Sequence, residues 1–365
     1  MKVLITGGHL SPMLCVIDAL PKDTETLIVG RKYPLEGDSS ISFEYQTMQS
    51  RGIPFWPITT GRLQRKLTKH TIPSLLKIPV GFIQAYKAVV DFNPDVIISF
   101  GGYVSLPVIL SGRMRGVPVV LHEQTLSAGL ANRIGSLFAT KVCVSWEQSR
   151  KFFPRAKTVL TGNPVRKFSI HHSSFIDDLA DKHLPLLYIT GGSVGSHTIN
   201  KTVMQCVGQL LKKFRIIHQT GQSDNSRDFN TLLDVKQKLS QRLQKRYMLT
   251  KFVDAYDVGD ILINADLVIS RCGINTLTEL MYFCKPSILI PLNKEQEENA
   301  LFLAKLGLAV VLFENLLTPQ SLLKYIETHY NILCESTKHR EEAQGLVTND
   351  AAQRIVAILS SVVAG

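Results

Sequence analysis

Six cysteines, at 15, 143, 206, 272, 284 and 334, lie too far apart for the close pairs of a zinc site or the density of a disulfide scaffold. They read as reduced thiols of a cytoplasmic protein. No apolar run approaches the roughly 20 residues that span a bilayer, so any membrane contact is expected to be peripheral. Met1 to Gly7 runs straight into a strand and a turn, leaving no room for a signal peptide. There is no Asp-x-Asp pair, so the sequence implies no catalytic divalent metal, and no complete Gly-x-Gly-x-x-Gly, which weighs against a dinucleotide-dependent hydride-transfer enzyme. Low-complexity segments and short-period repeats are also missing. Acidic residues are in deficit: 30 Asp plus Glu stand against 41 Lys plus Arg, a net charge of +11. Partners should therefore be anionic, whether nucleic acid, an acidic membrane surface or phosphorylated substrates, and charge alone does not choose among them.

What is present is apolar periodicity. At 365 residues and 45% apolar content, the chain is long enough for two domains with a core each. Strand-like runs alternate with helical patterns throughout, which predicts parallel sheets built from βαβ units, an α/β architecture. In the first half the expected strands are 3–6, 26–29, 96–100, 117–121 and 141–144, with helices near 12–20, 73–91, 104–115 and 128–138. The pattern restarts with strands at 186–190, 214–218, 247–251, 267–270, 287–291 and 309–312. The linker is placed at Gly162-Asn163-Pro164-Val165-Arg166 and the polar stretch that follows, giving domains at 1–163 and 164–347. A last helical run, within 348–365, is expected to pack back on the first domain.

In open parallel sheets ligands bind outside the carboxyl ends of the strands. Two glycine turns fall there, Thr6-Gly7-Gly8-His9 and Thr190-Gly191-Gly192-Ser193, each between a strand and a helix start. Glycine lets backbone N–H groups approach an anion, and a helix N-terminus favours negative charge; equally, such a turn can be a tight connection with Ser193 as helix cap. The run Ser270 to Glu279 crowds small and hydroxyl residues at another helix start, with Glu279 able to accept both hydroxyls of a ribose or merely to complement the helix dipole. Gln296 and Asn299, three apart on one helix face, could read sugar hydroxyls or be solvated surface. His9, with Pro12 at a favoured first helical position, is the candidate proton acceptor. His122 directly follows a strand and could simply bond to neighbouring backbone.

Between residues 62 and 82, Arg62, Arg65, Lys66, Lys69 and Lys77 interleave with Leu, Ile and Phe. That pattern suits an anionic lipid surface, although part of the apolar set must also pack on the sheet. Nucleic acid would call for stacking aromatics that this stretch does not offer, so no nucleic-acid partner is expected.

Together these residues resemble the bacterial MurG family, transferases of the GT-B fold. The resemblance rests on Gly101-Gly102-Tyr103-Val104-Ser105, His122-Glu123-Gln124 with Ala128-Gly129-Leu130-Ala131-Asn132, the Gly162 to Arg166 run, Gly191-Gly192-Ser193, Ser270 to Glu279, and Gln296 with Asn299-Ala300. It implies two Rossmann-like domains facing a cleft, and transfer of N-acetylglucosamine from UDP-N-acetylglucosamine to a polyprenyl-diphosphate-linked muramyl-peptide, at the cytoplasmic side of the cell membrane, without a cofactor. Carried over by motif, Arg166 and Ser193 would contact the UDP phosphates, Val253 the uracil region, Ile274, Asn275, Thr276, Leu277 and Thr278 the nucleotide backbone, Glu279 the ribose and Gln296 the sugar. Thr6, Gly7, Gly8 and Thr125 would belong to the acceptor side, with His9 as general base and Glu123 as its helper. Two departures stand out: the family's Gly-Gly-Thr-Gly-Gly-His turn is shortened here to Gly7-Gly8-His9, and Thr125 stands where Asn is common. A UDP-N-acetylglucosamine 2-epimerase and a non-catalytic UDP-sugar-binding scaffold are the alternatives.

Overall fold

The computed structural model describes residues 1–33, 41–59, 61, 71–165, 174–221, 227–335 and 343–364. It contains two compact units, Met1–Arg166 with Thr348–Gly365, and Lys167–Val347.

Unit 1 is built on β1 (Lys2–Gly7), α1 (Leu10–Ala19), β2 (Glu25–Gly30), α2 (Phe43–Ser50), β3 (Phe55–Pro57), α3 (Thr71–Phe92), β4 (Val96–Phe100), α4 (Ser105–Met114), β5 (Val119–Glu123), α5 (Leu130–Gly135), β6 (Lys141–Val144) and β7 (Thr158–Leu160). The seven strands are parallel in the order β3-β2-β1-β4-β5-β6-β7. Every residue of β4 and β5 is buried, as continuous apolar strands covered on both faces require. On one face Leu4, Ile97 and Leu121 pack against Ala85, Ala88 and Val89 of α3 and Val108 and Ile109 of α4. On the other, Val3, Ile5 and Ile98 meet Met13 and Val16 of α1, and Ile355 and Leu359 of the C-terminal helix Ala351–Ala364. That helix thus completes the core of unit 1, and Thr348 Oγ1 donates to the Thr161 carbonyl at 3.3 Å just before it.

Unit 2 comprises α6 (Ser174–Asp177), β8 (Leu186–Thr190), α7 (His197–Leu210), β9 (Arg215–Gln219), α8 (Arg227–Gln237), α9 (Gln241–Gln244), β10 (Tyr247–Thr250), α10 (Ala255–Asn264), β11 (Leu267–Ser270), α11 (Ile274–Tyr282), β12 (Ser287–Leu289), α12 (Lys294–Lys305), β13 (Ala309–Val311) and α13 (Pro319–Glu335). Its six parallel strands run β10-β9-β8-β11-β12-β13. Both sheets therefore contain the doubly wound 3-2-1-4-5-6 order, whose ligand position is the point where strand order reverses. In unit 1 that point lies between β1 and β4, in unit 2 between β8 and β11.

The elements depart from the periodicity in identifiable places. Strands β3 and β7 were not expected; each has three residues and sits at a sheet edge, bounded by proline or by polar residues. The strand expected from Val117 begins at Val119, because Pro118 has no N–H for the ladder. Helix α1 starts at Leu10, which puts Pro12 third in the helix rather than first; there too its missing N–H is not needed. Helix α5 is shorter than 128–138, and α6 falls inside the stretch expected to be linker.

Candidate active site

At the switch point of unit 1 three loops lie on one another. Gly7, at φ +146°, leaves no room for a side chain: a Cβ would stand 2.7 Å from Phe100 Cβ and 2.8 Å from its backbone. The Gly8 N–H donates to the Gly101 carbonyl at 3.0 Å. Gly101 and Gly102 are both left-handed, at φ +79° and +82°, and a Cβ on Gly101 would meet the Asn132 amide at 2.8 Å. His9 is the N-cap residue of α1, half-buried, with no side-chain bond to the helix start.

Next to this turn, β5 ends in a fixed polar segment. Glu123 is buried, and its carboxylate is filled: Oε1 accepts from the Thr125 N–H (3.0 Å) and hydroxyl (2.6 Å), Oε2 from the Gly129 N–H (3.0 Å) and Asn132 Nδ2 (2.9 Å). The Thr125 hydroxyl also contacts the Ser127 carbonyl and has one proton to give, so three N–H donors and this shared hydroxyl gather on Glu123, which thereby holds the loop that carries Thr125 and Gly129. Trp146 Nε1 holds the Gln124 carbonyl at 2.8 Å, and Ser149 Oγ the Thr125 carbonyl at 2.7 Å. His122 is buried with Nε2 3.2 Å from Ser145 Oγ; burial pushes its pKa down to about 3, the Gly162 backbone opposes this, and nearby His9 adds to it. It is a neutral structural ring. Thr6 Oγ1 near the end of β1, Gln124 Oε1 just past β5 and Asn132 Oδ1 on α5 are buried without a hydrogen-bond partner among the described residues.

At the switch point of unit 2, Gly191 to Gly195 forms a loop closed by Gly192 N–H donating to Thr190 Oγ1 (2.9 Å) and Gly195 N–H to the Gly192 carbonyl (3.1 Å). The cap of α7 is Ser196, whose Oγ accepts from the Ile199 N–H at 3.4 Å. The alternative of Ser193 as cap is therefore overturned: the loop runs three residues further than a tight turn would, and Ser193 is exposed with its hydroxyl not spent on the helix. Gly195 and Gly221, at φ +89° and +84°, touch backbone to backbone. Behind them Asn200 Nδ2 donates to the Thr220 carbonyl (3.0 Å) and Asp228 Oδ2 (2.9 Å), while its Oδ1 lies 3.1 Å from His218 Nε2. Tyr247 OH is 2.9 Å from His218 Nδ1, so one neutral tautomer, with the proton on Nε2, satisfies the whole chain.

Helix α11 begins at the carboxyl end of β11 with Gly273 as N-cap, leaving its first N–H groups without a side-chain acceptor. Ile274, Leu277 and Thr278 are buried, Asn275 is exposed, and Thr276 and Glu279 are half-buried. What this turn offers a ligand is backbone N–H, Asn275 and Thr276. Gln296 Oε1 accepts from the Leu292 N–H at 3.1 Å, while Asn293 caps α12 through the Gln296 N–H at 3.0 Å; the Gln296 amide nitrogen takes no part in these bonds. Asn299, three residues on, is buried and holds the Cys272 carbonyl at 3.0 Å. Val253 is buried after β10. Arg166 lies outside the described residues.

The sequence reading missed Arg271. It is buried, and its guanidinium donates to Ser196 Oγ (2.8 Å), the Ile290 carbonyl (3.0 Å) and both oxygens of Glu314 (2.8 and 3.2 Å). The pairing holds the Glu314 carboxyl below its ordinary range. One side chain thus ties together the segments that follow β8, β11, β12 and β13. It stands inside the run Ser270 to Glu279, yet its partners are remote in sequence, so no local spacing announces it.

Two doubly wound sheets with glycine loops at both switch points define a two-domain α/β enzyme of the GT-B type. Residues 6–144 match the glycosyltransferase family 28 N-terminal domain, and 186–355 the C-terminal domain of the same family. A Bacillus cereus protein named as a UDP-N-acetylglucosamine–N-acetylmuramyl-(pentapeptide) pyrophosphoryl-undecaprenol N-acetylglucosamine transferase is 34% identical over 89% of this chain and 90% of its own. A Lachnoclostridium phytofermentans protein with the same activity in its name is 30% identical over 99% of both. The chain belongs to the MurG family. In fold it is similar to the crystal structure of Acinetobacter baumannii MurG (TM-score 0.72, 23% identity, 99% of both chains). It is also similar in fold to a Listeria monocytogenes UDP-N-acetylglucosamine 2-epimerase structure (TM-score 0.67, 15% identity, 99% of this chain and 96% of that one).

Proposed function

We propose that this chain transfers N-acetylglucosamine from UDP-N-acetylglucosamine to the muramyl sugar of polyprenyl-diphosphate-linked MurNAc-pentapeptide, making the lipid-linked disaccharide. The observation that carries the reading is the identity of 30 to 34% across nearly the whole chain with transferases of that name. The epimerase alternative rests on fold alone, at 15% identity.

In this mechanism the acceptor C4 hydroxyl attacks C1 of the donor sugar, the bond from C1 to the UDP oxygen breaks, and the anomeric centre inverts. His9 takes the hydroxyl proton; Glu123, with both oxygens occupied, acts by holding Thr125 and Gly129. Unit 2 takes the donor: the Gly191 to Gly195 loop with Ser193 and the start of α11 receive the diphosphate, and stabilise the charge that grows as UDP leaves. Val253 borders the uracil, Glu279 accepts the ribose hydroxyls and the Gln296 amide reads the sugar.

The acceptor is drawn from an anionic membrane on its cytoplasmic side. No helix among the described residues is long and apolar enough to cross a membrane. Support for a surface mode comes from Val80 (45% exposed) and Ile83 (67%) on α3, and Met114 (67%) at the end of α4, which packs on α3. A hollow of about 440 Å³ is lined by Arg113 of α4 with Leu137, Phe138 and Lys157, pairing cations with apolar surface. The basic run 62–70 lies outside the described residues.

The test is transfer of labelled sugar from UDP-N-acetylglucosamine to a lipid-linked muramyl-pentapeptide analogue. The expected product is the β-1,4 disaccharide, and His9→Ala should cut kcat by about 100-fold or more while leaving UDP affinity intact. Tight UDP binding without transfer would point instead to an epimerase or a scaffold, and near-normal turnover of the variant would remove His9 from the chemistry.

A further inference from the structure

The glycine turn of unit 1 is poor in available donors. The Gly8 N–H is spent on Gly101, Pro12 has no N–H, and the Met13 N–H donates to the His9 carbonyl at 3.4 Å. Leu10 and Ser11 keep their N–H groups at the start of α1, and backbone amides bring only partial charge to a doubly charged group.

A cation stands over the same turn. The sheet order is β2-β1-β4, with Val29 opposite Thr6 and Gly7 opposite Phe100. Arg31, two residues beyond Val29, therefore leaves the sheet on one side of the Gly8 turn, and Tyr103, three beyond Phe100, on the other. The two meet: Arg31 Nη1 donates to the Tyr103 hydroxyl, and the guanidinium carbon lies 5.6 Å from the ring centroid. The pair thus bridges the end of β1. Among the described residues no carboxylate pairs with Arg31, and its guanidinium, anchored on one side to a phenol, keeps further N–H groups for a second partner. One carboxyl does stand near the end of β2: Glu44 Oε1 is 3.0 Å from where a Gly30 Cβ would be, but burial pushes Glu44 up to about 7 and it makes no ion pair with Arg31. Below the turn, Thr6 Oγ1 is the buried hydroxyl without a partner. Lys32 follows on the same edge, over the rings of Tyr33 and Tyr45 at 5.7 and 5.5 Å.

We infer that Arg31, held by Tyr103, binds the diphosphate of the lipid-linked acceptor, supplying from the neighbouring strand the positive charge that the short Gly7-Gly8-His9 turn lacks. The inference rests on the acceptor reading given above and adds a residue to it.

Arg31→Gln separates the two. In the transfer assay the variant should raise the acceptor KM about tenfold, the loss of one charge-assisted contact, with kcat and donor KM nearly unchanged. Arg31→Lys should recover part of the loss, since it keeps the charge without the planar fork. Direct binding of geranylgeranyl diphosphate in detergent should weaken in parallel, and UDP binding should not. An acceptor KM that stays at the wild-type level, or a raised KM with undiminished binding of geranylgeranyl diphosphate, overturns the inference; the latter would place Arg31 on a peptide carboxylate. If the wild type transfers no sugar, the functional reading fails, while the geranylgeranyl diphosphate comparison still decides the role of Arg31.

Discussion

Single residues carry the electrostatics of this fold, and the buried histidines do so by staying uncharged. His122 in unit 1 and His218 in unit 2 have pKa values pushed down to about 3, mainly by burial, against an ordinary 6.5. Between those values the unfolded chain binds protons that the folded one refuses, so stability rises with pH across that window. It is complete above about 6.5, and is lost as pH falls toward 3, at up to about 1.4 kcal/mol per pH unit for each ring. Urea midpoints at pH 7.5, 6 and 5 should fall in step; equal midpoints would show that these rings are not held neutral. Glu123 teaches a related lesson. The His-Glu-Gln run draws attention to its carboxylate, and only the folded chain shows the Thr125, Gly129 and Asn132 donors gathered on it.

At the scale of elements, the loops at the strand ends are where backbone geometry decides. A Cβ on Gly195 would stand 2.1 Å from the Thr220 carbonyl oxygen and 2.9 Å from Gly221 Cα, whereas one on Gly192 meets nothing within 4 Å, though both residues are left-handed. Gly192→Ala should thus cost about 1 kcal/mol of strain, and Gly195→Ala at least about 2 kcal/mol, with loss of UDP binding as the loop is driven off Thr220. Urea denaturation and UDP titration of the two variants check this; equal effects would mean that contact between the loops is unimportant. The contrast also marks what could be read in advance. The buried strands, such as Val96–Phe100 and Leu186–Thr190, declare themselves because both faces are covered and every residue is apolar or small. Gly191-Gly192-Ser193 likewise announces a turn. That Ser196 is the cap, and that Arg271 steadies it, depends on a guanidinium brought from the end of β11 and on Glu314 beyond β13. Such contacts exist only once the sheet has formed, so the glycine loops were legible as turns at strand ends and their supports were not. The edge strands β3 and β7 escaped for a local reason: Pro54 precedes and Pro57 ends the first and polar residues bound the second, whereas the equally short β13 lies inside the apolar run Leu308 to Phe313.

For the whole molecule, the C-terminal helix is the element whose place matters most. Ile355 and Leu359 are fully buried among Val3, Ile5 and Met13. Each such side chain contributes about 1.5 to 3 kcal/mol by leaving water. A chain ending at Val347 should lose the thermal transition of unit 1, or have it lowered by 10 °C or so, while unit 2 keeps its UDP affinity. Calorimetry with and without UDP distinguishes the two transitions; an unaltered profile would show that the helix is dispensable.

The return of that helix means that unit 2 is an insertion within unit 1. On the ribosome, residues 1–166 emerge first, with Val3, Ile5 and Ile98 covered by Met13 and Val16 of α1 but lacking Ile355 and Leu359 until the whole of Lys167–Val347 has been made. Unit 2, continuous in sequence, can close on its own as it emerges. Unit 1 therefore gains the last layer of its core only after unit 2 has been synthesised.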